Sequence, residues 1–208
     1  MKKLTAFLLS AVLLFSMTAC GPLAITADSV SKASESRQMK RPDSDDYQDR
    51  DKWWADLHKW QEGQNALSDT TKEAVTALAP FFTAGSAQFL STQGSENLLW
   101  SPVNAYIGLA MVTELTQGES RGQILELFGA ENMDVLRRHA GAIWESAYYD
   151  NGHEISALAN SLWLEEGLNY QQDTMDSIAY HYYASVYRGD LGSAKINKDI
   201  TAWLDNNT

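Results

Sequence analysis

Four histidines, one cysteine and a surplus of carboxylates are the side chains with catalytic or ligating capacity, so their spacing decides which chemistry is open. His58, His139, His153 and His181 are scattered, and His139 and His181 stand beside apolar residues in helical stretches, where packing is a commoner role than ligation. The adjacent Glu165 and Glu166 have the types needed for a general acid and base. With 27 acidic residues, however, such pairs arise by chance, and a water-exposed turn is their simpler home. The chain has no Gly-x-Ser-x-Gly elbow, no His-Glu-x-x-His pair and no Walker-type glycine loop with lysine, which removes the common motif-bearing hydrolases and nucleotide-binding proteins. A single cysteine permits neither an intrachain disulfide nor a multi-thiolate metal site. The expectation is a protein that is not an enzyme and needs no cofactor or metal.

That lone Cys20 takes its meaning from its neighbours. Met1-Lys2-Lys3 is a cationic start, Leu4 to Met17 is a mostly apolar run, and Thr18-Ala19 puts small residues before the cysteine, which is the layout of an export signal over residues 1–19. The run falls short of the roughly 18 to 20 apolar residues of a spanning helix. Met17-Thr18-Ala19-Cys20 resembles the lipobox of bacterial lipoproteins, although Met stands where Leu is usual. That resemblance implies cleavage, a lipid on Cys20, and an exported protein anchored to the cell membrane on its extracellular or periplasmic side. Two acyl chains suffice for stable anchoring, at about 0.8 kcal/mol per buried CH₂. The alternative is an ordinary secretory signal with a chance cysteine. A net charge of -11 makes nucleic acid and anionic lipid surfaces poor partners for the folded body.

Residues 20–67 read as a polar, acidic tether, with Asp43-Ser44-Asp45-Asp46 and Asp49-Arg50-Asp51 and little sustained apolar periodicity. Trp53, Trp54 and Trp60 interrupt it. They suit either a sugar- or peptide-binding platform or a short helix docking Trp54, Leu57 and Trp60 on the domain.

The folded domain is expected over 68–208. Ser68-Asp69 cap a helix with Ala74, Leu78, Phe81, Phe82 and Phe89 on its apolar face, which Pro80 should kink or restart. After an extended run at Asn97-Leu98-Leu99-Trp100, Ser101-Pro102 opens a helix apolar nearly all round, from Tyr106 to Val112, that should be buried and should end at Gly118. A third helix places Ile124, Leu125 and Phe128 inward before Gly129, and a fourth runs from about Met133 with Leu136, Ala140, Ile143 and Trp144. Asp150-Asn151-Gly152 is a turn. Ile155 to Leu164 reads as a long strand, apolar on both faces and hence central in a covered sheet, with Asn160 needing hydrogen-bond partners. A helix over Tyr170 to Tyr183, a strand over Ser185 to Leu191, and a last helix with Ile196, Ile200, Trp203 and Leu204 on one face complete the series.

That order, with Asn97-Leu98-Leu99-Trp100-Ser101-Pro102, Leu109-Ala110-Met111, Gln123-Ile124-Leu125, Asn160-Ser161-Leu162-Trp163 and Ile200-Thr201-Ala202-Trp203-Leu204, resembles the N-terminal part of the serpin family from about Leu78 to Thr208. The likeness implies an α+β fold in which helices A to F pack on part of a large central sheet that is incomplete at the C-terminal side. It also implies a shutter region at Ser101, Asn104, Asn160 and Thr201. Asn104 stands where the family usually has a second serine, and Thr201 where it often has asparagine. The implied function is inhibition of serine or cysteine proteases, whose target would meet a reactive loop lying beyond this N-terminal fragment. Alone, the fragment would leave the Ile155 strand with an open edge and is expected to be unstable or to associate. A sharp two-state melt at micromolar concentration would overturn that expectation. The other functional reading is a non-inhibitory surface lipoprotein that binds glycan or protein through Trp53, Trp54, Trp60 and the Tyr180-His181-Tyr182-Tyr183 cluster.

Overall fold

A computed structural model of the chain describes residues 31–34, 36, 40–66, 68–91 and 99–207. The export signal, Cys20 and the Asn97-Leu98 half of the extended run lie outside the described residues. The elements run β1 (Ser31–Ser34), α1 (Arg50–Ala66), α2 (Ser68–Ser91), α3 (Pro102–Glu114), α4 (Gly118–Leu127), α5 (Met133–Ala147), β2 (Tyr149–Asp150), β3 (Ile155–Ser156), β4 (Asn160–Glu165), α6 (Gln172–His181), β5 (Ala184–Gly189) and α7 (Ala194–Asn207). The fold is α+β, consistent with a partial serpin-like domain. No described helix is long and apolar enough to cross a membrane.

Helices meet where their apolar stripes face one another. Ala74 and Leu78 of α2, Tyr106, Ile107 and Ala110 of α3, Leu136 and Ala140 of α5, and Met175 and Ile178 of α6 are at most 1% exposed. Phe128 sits among the aromatic rings, edge-on to Phe81 at 5.0 Å and to Tyr106 at 4.8 Å, the geometry that the ring quadrupole favours. Ser101 caps α3, its hydroxyl accepting from Asn104 N at 3.3 Å, with Pro102 at the first helical position. Asn132 caps α5 in the same way, and Gly129 stops α4 with φ +62.

Five expectations change. Pro80 lies inside α2 without restarting it. The proline removes one intrahelical bond, while burial of Leu78 before it and packing of Phe81 and Phe82 against the core after it hold the helix on both sides. Helix α3 ends at Glu114, not at Gly118; Thr116 turns back onto Thr113 O, and Gly118, with φ +60, opens α4 instead. Residues within the polar tether are structured: β1 pairs antiparallel with β5, and α1 is a helix of 17 residues. Its docking residue is Leu57, 4% exposed, whereas Trp54 is 47% exposed.

The fifth change concerns the sheet. The stretch from Ile155 to Leu164 is not one strand. Ile155–Ser156 folds back on Tyr149–Asp150 as a hairpin, because Asn151 Oδ1 accepts from both His153 N and Glu154 N and closes the turn. Strand β4 then begins at Asn160. The sheet order is β1-β5-β4, with β4 parallel to β5 from Asn160↔Ala184 to Glu165↔Gly189 and α6 as the crossover between them. Among the described strands β5 is therefore central and β4 an edge.

Candidate functional site

The structured start of β4 is built from three side-chain bonds. Asn160 donates from Nδ2 to Tyr182 O at 2.9 Å, so the residue that opens one strand is tied to the backbone just before the other. Trp144, from the last turns of α5, donates Nε1 to Leu158 O at 2.6 Å and fixes the approach to β4. Tyr183 is held in the left-handed region with φ +50, the one non-glycine with positive φ among the described residues. Its ring stacks on Trp144 at 3.6 Å and 5°, and its hydroxyl donates to Glu145. A tyrosine keeps such a backbone only when its surroundings over-determine it, which the stack and the hydrogen bond do.

Tyr148 stacks on Trp144 at 5.7 Å and donates to Asp150 at 3.2 Å. Burial, then the nearby Asp150 carboxylate, push its phenol up to about 12, so it stays a neutral donor. Beside this aromatic footing, at the start of β4 and β5, lies an open cleft of about 710 Å³. Its walls include Arg41 from the N-terminal segment, His153 of the hairpin, Leu158 and Asn160 at the β4 start, and Trp203 of α7.

A second polar assembly stabilises the floor of the sheet. Glu114 is buried at the end of α3 and accepts from Arg137 Nε and Nη2 of α5, both at 2.8 Å, and from the Tyr182 hydroxyl at 2.9 Å. Its contact raises the already high pKa of Arg137, and burial raises that of Tyr182. The carboxylate thus binds α3, α5 and the residue leading into β5. Sequence reading passed over it; the available signal was an acid at the end of a helix otherwise apolar nearly all round, which cannot be buried without a partner.

The four expected shutter positions have separate local bonds. Ser101 Oγ caps α3, Asn104 is exposed and contributes its backbone N–H to that cap, Asn160 reaches Tyr182 O, and exposed Thr201 on α7 donates Oγ1 to Asn197 O at 2.9 Å. Apart from that Ser101–Asn104 cap, no hydrogen bond among the described residues joins any two of the four. The aromatic platform divides likewise, because Tyr182 and Tyr183 are buried while Tyr180 is 54% exposed. Nor do the histidines converge: His139 is buried with Nε2 3.3 Å from Glu73, His58 stands beside Trp54, and His153 lies in the hairpin. No described group of three or more His, Cys, Asp or Glu is placed to hold a metal ion. Glu165 ends β4 and Glu166 opens the turn after it, both exposed, and Glu165 Oε2 accepts from Leu191 N.

The family model described as serpin (serine protease inhibitor) matches residues 81–208, more than half of the chain. The chain belongs to the serpin family. It is similar to neuroserpin of Mus musculus, with 24% identity over 124 residues, covering 56% of this chain and 29% of that protein. The chain thus spans less than a third of the curated relative's length. No solved structure matches it.

Proposed function

We propose that these 208 residues are the N-terminal portion of a serpin that inhibits serine or cysteine proteases and is not itself an enzyme. The carrying observation is the parallel β4–β5 pair with β4 at an edge that no described strand covers. An edge of unpaired backbone groups is where a sheet extends. In this reading the remaining strands and the loop cut by the target protease belong to polypeptide beyond this portion. Protease trapping then follows from insertion of the cut loop as a further strand of the completed sheet, releasing stored strain.

The test is to incubate the complete gene product with a panel of serine and cysteine proteases. A complex stable to SDS, at the summed mass of inhibitor and protease, supports the proposal; loop cleavage with no such complex for any protease overturns inhibition. We further propose export and lipid attachment at Cys20, with the domain facing the extracellular or periplasmic side. Globomycin should make the unprocessed precursor accumulate, and normal maturation in its presence would overturn the lipid anchor.

A further inference from the structure

The N-terminal segment joins the body much earlier in the chain than its polar composition suggests. Ser31–Ser34 forms β1, paired antiparallel to β5 from Ser31↔Arg188 to Ser34↔Val186. Side chains add to that pairing. Ser34 Oγ donates to Asp176 Oδ1 at 2.9 Å, Gln172 Nε2 donates to Ala33 O at 2.9 Å, and Lys32 Nζ stands 5.8 Å from the centre of the Tyr187 ring. Strand β1 thus bridges β5 and α6, and Ala33 packs against the core. The one apolar side chain of Ser-Lys-Ala-Ser is a methyl group, so hydrogen bonds and not apolar burial hold the segment in place. The strand also lies outside residues 81–208, as an attachment this chain adds to the region it shares with its family.

The attachment sets a length. A tether free over residues 20–67 would let the body stand up to about 170 Å from Cys20. Pairing at β1 leaves eleven residue steps between Cys20 and Ser31, at most about 40 Å when fully extended. It sets a direction as well. The sheet order β1-β5-β4 puts the attachment on the side opposite β4.

Given lipid attachment at Cys20, on which this reading rests, we infer that β1 is a clasp fastening the anchor to the outer edge of β5. The body is thereby held close to a lipid surface with its β1 side leading and its β4 edge turned away. The clasp and the covalent length do this without electrostatic help, because a net charge of -11 gives the body no attraction to anionic headgroups. Strands that extend the sheet beyond β4 then join on the side clear of the bilayer.

The test reconstitutes the complete gene product, with the acyl chains on Cys20 verified by intact mass, on a supported phosphatidylcholine bilayer. Neutron reflectometry reads the distance of the protein layer from the headgroups. Thirty Gly/Ser residues inserted after Thr26, ahead of the clasp, should move the layer outward by about 15 Å, the growth in root-mean-square length of a flexible chain. The same insertion after Gln38, behind the clasp, should leave the layer in place. With Ser31→Pro, Lys32→Pro, Ala33→Pro and Ser34→Pro combined, which strip β1 of its backbone donors, the second insertion should act as strongly as the first. Equal displacement by the two insertions in the otherwise unaltered protein, or displacement by neither, would overturn the clasp with the lipid still present. Absence of acyl chains on Cys20 would instead sink the anchor, and the inference with it.

Discussion

Strands β4 and β5 are neighbours of equal length, six residues each, yet they live in different environments. Asn-Ser-Leu-Trp-Leu-Glu of β4 contains three large apolar side chains, and only Leu164 is buried. Ala-Ser-Val-Tyr-Arg-Gly of β5 is less apolar, and Ala184, Val186, Tyr187 and Gly189 are all buried. Position in the sheet accounts for the inversion. Strand β5 has β1 on one side, β4 on the other and α6 packed against it, whereas β4 has one described partner strand. A strand's composition is a preference for burial; its neighbours determine whether that preference is met.

The comparison can be broken hardest at the support beneath β5. Glu114→Ala should destabilise the chain by about 3 to 5 kcal/mol, because it leaves Arg137 without its bidentate partner and the Tyr182 hydroxyl without an acceptor. Urea denaturation followed by circular dichroism measures this, and a loss below 1 kcal/mol would remove Glu114 as the tie between the helices and β5. A direct contrast comes next. Val186→Ala on β5 should cost about 2 kcal/mol, and Leu162→Ala on half-buried β4 about 1 kcal/mol despite its larger side chain. Equal or reversed losses would mean that sheet position does not control burial energy here.

Two tyrosines sharpen the same point. Tyr182 gives its hydroxyl to Glu114, while the Tyr106 hydroxyl is buried with no partner. Tyr182→Phe should cost about 1 to 2 kcal/mol, and Tyr106→Phe should be neutral or stabilise by up to about 1 kcal/mol, since it removes an unsatisfied polar group. Burial raises both phenols above the ordinary 10.0, so the fold favours their neutral form. That contribution is present below pH 10 and is lost as pH rises through the folded values. Stability should therefore decline above pH 10 in an alkaline series, and the double phenylalanine variant should flatten the decline.

The smallest effect lies on the surface, away from both strands. Hydrogen bonds from Arg138 and then His139 hold Glu73 below its ordinary 4.5. A depressed carboxylate stabilises above its unfolded value, and that benefit is lost as pH falls through the folded one. Glu73→Gln should slightly reduce the acid-side slope of a stability-versus-pH curve; an unchanged slope would make the contact with Arg138 and His139 energetically silent.

Local signals were legible where the responsible residues are close in sequence. Ser101-Pro102, Asn151 in its turn and Gly129 at φ +62 place their boundaries by capping, Asx bonding and left-handed backbone, none of which depends on distant residues. The serpin resemblance was likewise legible from short runs in a fixed order. The site was legible only in part. Asn160 was recognised as a polar residue needing a partner, but that partner, Tyr182 O, is 22 residues away.

The sequence by itself determined the family, the succession of helices α2 to α7, and the absence of the common catalytic motifs, because periodicity, capping and motif order are properties of neighbouring residues. Only the tertiary structure decided that β5 and not β4 lies in the middle of the sheet, that Ser31–Ser34 of the polar segment covers the outer side of β5, and that Glu114, Arg137 and Tyr182 share one buried assembly. Backbone pairing and burial of a charge are settled between residues far apart in the chain, and a strand's sequence does not record which neighbour will satisfy its hydrogen bonds.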